Sequence, residues 1–426
     1  MITDLLRRIV LGKKEKFMFK RYEEGLIDFN RIDREIGIYI HIPFCRSLCP
    51  YCPYNKTLYA GEEAKAYKKA LIKELNLYRK NLGDAEITSI YFGGGTPTLL
   101  ITEIREMVDF IKENYSFKGD IGIEIHPKEV SHHLLKELKE IGMNMVSLGV
   151  QTFKEDILQF LGRGYGVKEI EEAIATIKKY NFQCVDIDIM TNLPGQKLED
   201  IQYDLKKVYS YGIDQVSIYP LIIFPMTEMD MDRIIKEKKL DRFSELEEKK
   251  ILRMIDDISK ETGYESSSIW TYSKNKENRY TSVTRESFVG FGAGASSHFG
   301  NYFYLNTFDV DAYIEALEKG TLPINIVNQM TEKEKMIFWI FWRCYDGVID
   351  EDRFEDLFKK EMKREFRLLF TLLKVLGMAR KEGNQYVLTQ WGRFVYHFVE
   401  KQYSIYYLNN LWYQSMQQPW IEEVEI

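Results

Sequence analysis

Apolar residues at the start of the chain recur at helical spacing, with Ile2, Leu5, Leu6, Ile9 and Val10 on one face. Seven Lys and Arg residues fall within residues 1–21. This pattern predicts a helical prelude over 1–33 that docks on the body of the protein. A membrane-surface or targeting helix is the alternative, and Asp4 and Glu15 count against its transit-peptide form. From residue 36 the pattern changes. Short β-branched or apolar runs at 36–42, 88–92, 122–126, 145–150, 185–190 and 215–221 predict strands. Amphipathic stretches at 64–80, 102–114, 133–141, 168–179 and 198–211 predict the helices between them. Strand and helix alternating six times means parallel βαβ units, which build an open doubly wound sheet or a full or partial barrel. In such folds the sites lie at the C-terminal ends of the strands.

Beyond the alternation, residues 228–275 are charged and helical and are expected to form a connector or lid base. Residues 288–304 make a Gly/Ser/aromatic loop, 301–329 are expected to link, and 330–426 form a separate module. That module has helix patterns at 331–345 and 363–376, a hairpin turning at 382–385, and Thr389 positioned to cap a last helix, a layout similar to a winged helix.

Composition narrows the class. Of 426 residues, 45% are hydrophobic and 29% charged, the mixture of a globular protein with ample core. Lys+Arg 59 against Asp+Glu 65 leaves a net charge of −6, which disfavours a dominant nucleic-acid role. No apolar run reaches the roughly 18 residues of a membrane span. Five cysteines exclude a disulfide scaffold, and a reducing cytoplasm is the expected setting. The 28 Tyr and 25 Phe suit an aromatic-heavy core, and also a deep pocket for a large flat ligand.

Three of the five cysteines, Cys45, Cys49 and Cys52, lie within eight residues just after the first strand, at C-x3-C-x2-C spacing. Three thiolates on one loop can each bind one iron of a [4Fe–4S] cube and leave the fourth iron open to a small chelator. Structural zinc would need a fourth ligand, and the nearby His41 is expected within the strand. A redox Cys49/Cys52 pair would leave Cys45 unexplained. Cys184 and Cys344 are distant and read as core thiols.

This spacing after a first strand resembles the radical S-adenosylmethionine superfamily. Further motifs narrow the likeness: HIPFC at 41–45, YFGGGTPT at 91–98, VSLGVQTF at 146–153, LGRG at 161–164, DIDIM at 186–190, LPGQ at 193–196 and the GFGAGASS loop. Together they resemble the oxygen-independent coproporphyrinogen dehydrogenase family and its relatives. The resemblance implies a partial (β/α)6 barrel with a small C-terminal domain. It also implies a cluster that splits S-adenosylmethionine reductively into methionine and a 5′-deoxyadenosyl radical, and a low-potential electron donor such as flavodoxin or ferredoxin. By the same resemblance Glu124 contacts a first S-adenosylmethionine. Gly94, Gly95 and Thr96, with Gln151, Arg163 and Asp188, belong to a second. Tyr39 and Tyr51 fall on aromatic positions near the adenine. The types suit these roles: glycines permit close backbone approach, and a guanidinium matches a carboxylate bidentately.

The likeness has departures. Heme-chaperone relatives carry a His-Asn…Tyr-Trp motif, and the equivalent stretch here, 278–285, has no histidine. The pair Asn55-Lys56 leans towards the dehydrogenase. Arg46, Lys56 and Arg285 could meet substrate carboxylates, while His126 and His298 read as ordinary loop residues. Two classes of function follow: a radical enzyme acting on a tetrapyrrole, with methyl-transferring and heme-opening relatives as alternatives, or a tetrapyrrole carrier that keeps the cluster. The C-terminal module is expected to act as a lid over the barrel mouth.

Overall fold

The computed structural model describes residues 17–224, 227, 241–275, 280 and 286–426. The apolar helix face at the start of the chain, residues 228–240 and 276–279 in and just after the expected 228–275 connector, and Arg285 lie outside the described residues.

Six parallel strands carry the fold: β1 (Glu35–Ile42), β2 (Glu86–Gly94), β3 (Ser116–Ile125), β4 (Met145–Gln151), β5 (Cys184–Thr191) and β6 (Gln215–Pro220). Between them run α1 (Gly61–Leu82), α2 (Ile101–Asn114), α3 (His132–Ile141), α4 (Val167–Ile177) and α5 (Leu198–Ser210). Neighbours in sequence are neighbours in the sheet. The period-2 alternation explains why both faces are covered. On β1, Ile36, Ile38, Ile40 and Ile42 are fully buried against the helical layer, while Tyr39 and His41 point to the other side. Burying each such isoleucine contributes about 1.5–3 kcal/mol.

The barrel does not close. β1 takes a seventh parallel strand, β7 (Phe288–Phe291), on its free edge instead of β6. Three antiparallel strands continue the sheet: β8 (Ser296–Phe299), β9 (Tyr302–Asn306) and β10 (Ile324–Gln329). The expected link over 301–329 is therefore sheet and helix, its alternating Tyr and Phe residues placing one face in the core. Beyond β10 lie Met18–Arg21 and then Glu423–Glu425, so the two chain ends pair with each other. The described part of the 1–33 segment contains the strand Met18–Arg21 and a short turn of helix at Phe29–Arg31, not a continuous helix.

The C-terminal module has its own core, built on Trp339, Phe354, Phe358, Phe370 and Tyr386. Val348–Asp350, Gln385–Leu388 and Ala379–Glu382 form its three-stranded sheet. Thr389 accepts the Gly392 amide and caps the helix Gln390–Tyr403, as its position in the sequence predicts. That helix runs through a π-helical turn, Ser404–Leu408, into Asn409–Gln417. Among the described residues no helix is long and apolar enough to cross a membrane.

Candidate active site

The residues of interest gather where β1 to β6 end. After β1 the chain makes a two-residue strand, Phe44–Cys45, beside Thr57–Leu58, and this pairing closes the cysteine loop at its neck. The main chain of the Gly-rich segment clasps the loop: the Gly95 amide donates to Ile42 O at 2.7 Å and the Thr96 amide to Phe44 O at 2.8 Å. The glycines are needed for this approach. Gly94 has φ +117°, and a Cβ there would stand 2.7 Å from the His41 ring. A Cβ on Gly95 would meet Phe44 O at 2.7 Å and Cys45 Sγ at 2.8 Å.

Cys45, Cys49 and Cys52 are partly buried free thiols. Burial pushes the Cys45 thiol up to about 11, against a hydrogen bond from Thr96 and the nearby Lys56 charge. Among the described residues no three His, Cys, Asp or Glu side chains close around a single ion. At their C-x3-C-x2-C spacing three thiolates can each take a different iron of a cube. His41 is committed elsewhere, with Nδ1 2.9 Å from the Tyr39 hydroxyl and Nε2 2.9 Å from Asn55 O.

Glu124 ends β3. Its carboxylate accepts the Tyr91 hydroxyl at 2.9 Å and the Gly94 amide at 3.1 Å, so it joins β3 to the glycine segment. Burial pushes its pKa up to about 7. Gln151 ends β4 at a register irregularity with φ +74°, and its side chain accepts the Tyr219 hydroxyl at 3.1 Å. A non-glycine residue there is strained.

Arg163 spans the site. It donates to Gly149 O at 2.9 Å, to the Tyr165 hydroxyl at 2.6 Å and to the Tyr51 hydroxyl at 3.2 Å, and contacts Cys49 Sγ at 3.4 Å. It therefore ties β4 to the cysteine loop. Asp188, on β5, meets the Ser147 hydroxyl at 3.2 Å. Tyr39, Glu124, Asp188 and Tyr219 are half-buried on the strands around this site, and Tyr54 on the cysteine loop is exposed.

The C-terminal helices reach this end of the barrel. Trp412 packs against Tyr54 of the cysteine loop (centroids 5.9 Å apart) and stacks on Phe224 beyond β6 (5.9 Å, 16°). Arg46 instead pairs with Glu129 at 2.8 Å, and Lys56 donates to Cys52 O at 2.6 Å. Burial pushes the pKa of half-buried His126 down to about 3 and that of buried His298 down to about 4.

Several participants escape the sequence reading. Asp186 lies one rung below Asp188 on the same face of β5. The alternation that singles out Asp188 points equally to it. Tyr91, Ser147 and Tyr219 follow from the same rule on β2, β4 and β6. Tyr54 and Tyr165 carry no local signal.

Residues 39–208 match the model of the radical SAM superfamily. The chain is 30% identical over 329 residues to the heme chaperone HemW of Lactococcus lactis subsp. lactis, covering 75% of this chain and 84% of that one. It is 28% identical over 343 residues to an oxygen-independent coproporphyrinogen III oxidase of Cereibacter sphaeroides, covering 75% and 74%. Among solved structures, coproporphyrinogen III oxidase (HemN) from Escherichia coli, described as a radical SAM enzyme, superposes with TM-score 0.76 at 22% identity, over 90% of this chain and 94% of that one. This last likeness shows the fold.

Proposed function

The chain belongs to the radical SAM superfamily, in the branch of the oxygen-independent coproporphyrinogen III oxidases and HemW proteins, and from that membership we propose that it is a radical enzyme acting on a tetrapyrrole. Its reaction in this reading is oxidative decarboxylation of coproporphyrinogen III propionates to vinyl groups. The observation that carries the proposal is the gathering of the three thiols, the glycine segment, Glu124, Gln151, Arg163 and Asp188 at one end of the parallel strands. Membership implies a [4Fe–4S] cluster and S-adenosylmethionine, and together they supply, when bound, a radical able to abstract hydrogen. Cys45, Cys49 and Cys52 would hold three irons. Glu124 and the backbone about Gly94 suit an amino group beside the cluster. Arg163, already aimed at Cys49, suits a carboxylate, while Gln151 and Asp188 offer a second set of polar contacts on β4 and β5. Tyr54, Phe224 and Trp412 give a flat aromatic wall fitted to a macrocycle and exclude water from the reacting centre. A low-potential electron donor is part of the proposal.

A second reading, heme carriage, is favoured by the HemW relatives, one of which the chain covers over 84% of its length. One experiment divides the two. Anaerobically reconstituted protein is incubated with S-adenosylmethionine and dithionite, with coproporphyrinogen III in one arm and heme in the other. Loss of CO2 from the porphyrinogen, followed by mass spectrometry, supports the enzyme. Stoichiometric heme uptake with no porphyrinogen product supports the carrier and refutes the oxidase.

A further inference from the structure

One hydroxyl inside the barrel stands between two carboxyls. Ser147 Oγ lies 3.3 Å from Asp186 Oδ2 and 3.2 Å from Asp188 Oδ2. A serine has a single hydrogen to donate. With both carboxyls ionised, one of these contacts would set oxygen against oxygen with no proton between them. Two adjacent charges shut away from water would also repel. One carboxyl of the pair therefore carries a proton.

The surrounding donors decide which. Ser217 Oγ donates to Asp186 Oδ2 at 2.8 Å, so Asp186 collects two hydroxyl donors and is the better placed to stay ionised. The proton then sits on Asp188, which donates to Ser147 Oγ, which donates to Asp186. Burial raises both groups, Asp186 to about 6 and Asp188 well above the usual carboxyl range, the latter with Asp186 and Glu124 adding to it.

The groups facing the pair agree. Glu124 approaches from β3, Cys184 from the rung below, and the phenols of Tyr91, Tyr219 and Tyr280 from β2, β6 and the loop after Thr271–Ser273. Arg163, a cation that acts on Asp188, is engaged with Gly149, Tyr165, Tyr51 and Cys49. The Tyr280 ring is buried against the Tyr91 ring, centroids 4.8 Å apart. Tyr280 is held facing inward by two bonds between its main chain and the Gln215 side chain. Among the described residues the groups facing the pair are thus acidic or phenolic, and the guanidinium that acts on it is already engaged.

We propose that Asp186, Ser147 and Asp188 form a proton-sharing pair that accepts a positively charged group of a ligand at Asp188 and releases one proton to solvent as it does so. Asp186 is a positioning residue that acts through Ser147. The ligand class is an organic ammonium or sulfonium cation, and its identity as S-adenosylmethionine rests on the function proposed above.

Two measurements test this separately. In the ligand-free protein, infrared difference spectra should show a protonated-carboxyl band that is lost in both Asp188→Asn and Asp186→Asn and shifted in Ser147→Ala. Wild type lacking that band overturns the pair, whatever binds. Titration calorimetry with S-adenosylmethionine, in buffers of different ionisation enthalpy, should then show release of about one proton per Asp188-dependent site. The dissociation constant at that site should tighten about tenfold per pH unit until the pair has lost its proton. In Asp186→Asn, Asp188 loses the carboxylate that shares its Ser147 contact and the largest of the charges that raise it. That variant should bind with little proton release and a flattened pH profile. An unchanged proton count in Asp186→Asn overturns the proposal. Failure of wild type to bind S-adenosylmethionine, with the infrared band present, refutes the proposed function and leaves the pair standing.

Discussion

The carboxylate of Asp204 accepts the Thr152 hydroxyl at 2.7 Å, joining α5 to the turn that follows β4. Its other oxygen accepts the Phe153 amide at 2.8 Å. These bonds hold the chain just past Gln151, whose left-handed φ of +74° would otherwise relax. Substituting Asp204→Ala leaves a buried amide and hydroxyl unpaired. The expected loss is about 2–4 kcal/mol of stability, read from urea unfolding. The same variant should weaken S-adenosylmethionine binding in equilibrium dialysis while iron content is kept. Equal loss of iron would mean that the turn supports the whole site and not Gln151 in particular.

The cysteine loop and the glycine segment should fail together. Anaerobically reconstituted protein is expected to hold about four irons per chain. Cys45→Ala, Cys49→Ala or Cys52→Ala should abolish this, whereas Cys184→Ala and Cys344→Ala should not. Gly95→Ala is the sharper case, because its Cβ would stand 2.8 Å from Cys45 Sγ and 2.7 Å from the Phe44 carbonyl. A methyl group there should cost most of the iron although no ligand is removed. Full iron content in Gly95→Ala would show that the loop can shift without losing the cluster.

How far the sequence speaks differs from place to place. The six strands and five helices are legible because β-branched runs and amphipathic stretches are local patterns. The strands differ from the expected ranges mainly by added polar ends, such as Glu86 and Ser116–Gly119, where the pattern is silent but the ladder continues. The pairing of Met18–Arg21 with Glu423–Glu425 is illegible, since contact between residues some four hundred positions apart leaves no local periodicity. The glycine segment is half legible. Close backbone approach is expected from its composition, but the partners it approaches, His41 and Cys45, appear only once β1 and β2 lie side by side. Asp186 was within reach, two residues from Asp188 on an alternating strand.

A buried ion pair links the C-terminal module to the barrel and sets a pH dependence. His397 Nε2 bonds Glu248 Oε2 at 2.9 Å, and His397 Nδ1 accepts the Trp270 indole N–H at 2.9 Å. Lys401 donates to both oxygens of Glu248 at 2.6 Å, and Asn192, just after β5, donates at 3.2 Å. Burial holds the His397 pKa below 6.5, against the opposing pull of Glu248. The unfolded chain therefore binds a proton at His397 more readily than the folded one. This contribution to stability is present above pH about 6.5 and declines as pH falls, with a slope of at most about 1.4 kcal/mol per unit. Glu248 is shifted the other way, below the usual carboxylate value, and its contribution fades only below pH about 4.5. The advantage of wild type over His397→Gln in urea midpoint should accordingly shrink between pH 7 and pH 5. A constant difference across that range would show that His397 is not held neutral.

The aromatic contact of Trp412 with Tyr54 and Phe224 should matter for coupling and not for assembly. The helix Asn409–Gln417 brings Trp412 against Tyr54 and Phe224, and its continuation returns to the main sheet as Glu423–Glu425. Deleting the module would remove an edge strand as well as a cover, so a point substitution is the cleaner test. Trp412→Ala takes away a large flat side chain that stacks on Phe224 and packs on the ring beside the cysteine loop. It leaves the thiols, the glycine segment and Glu124 in place. The variant should keep wild-type iron and bind S-adenosylmethionine, yet form several-fold more 5′-deoxyadenosine per substrate converted, because a poorly seated substrate and admitted water leave the radical unproductive. The ratio is measured by chromatography of anaerobic reactions with the porphyrinogen. If Trp412→Ala couples as tightly as wild type, the helix is a structural brace for the sheet edge and the covering role falls.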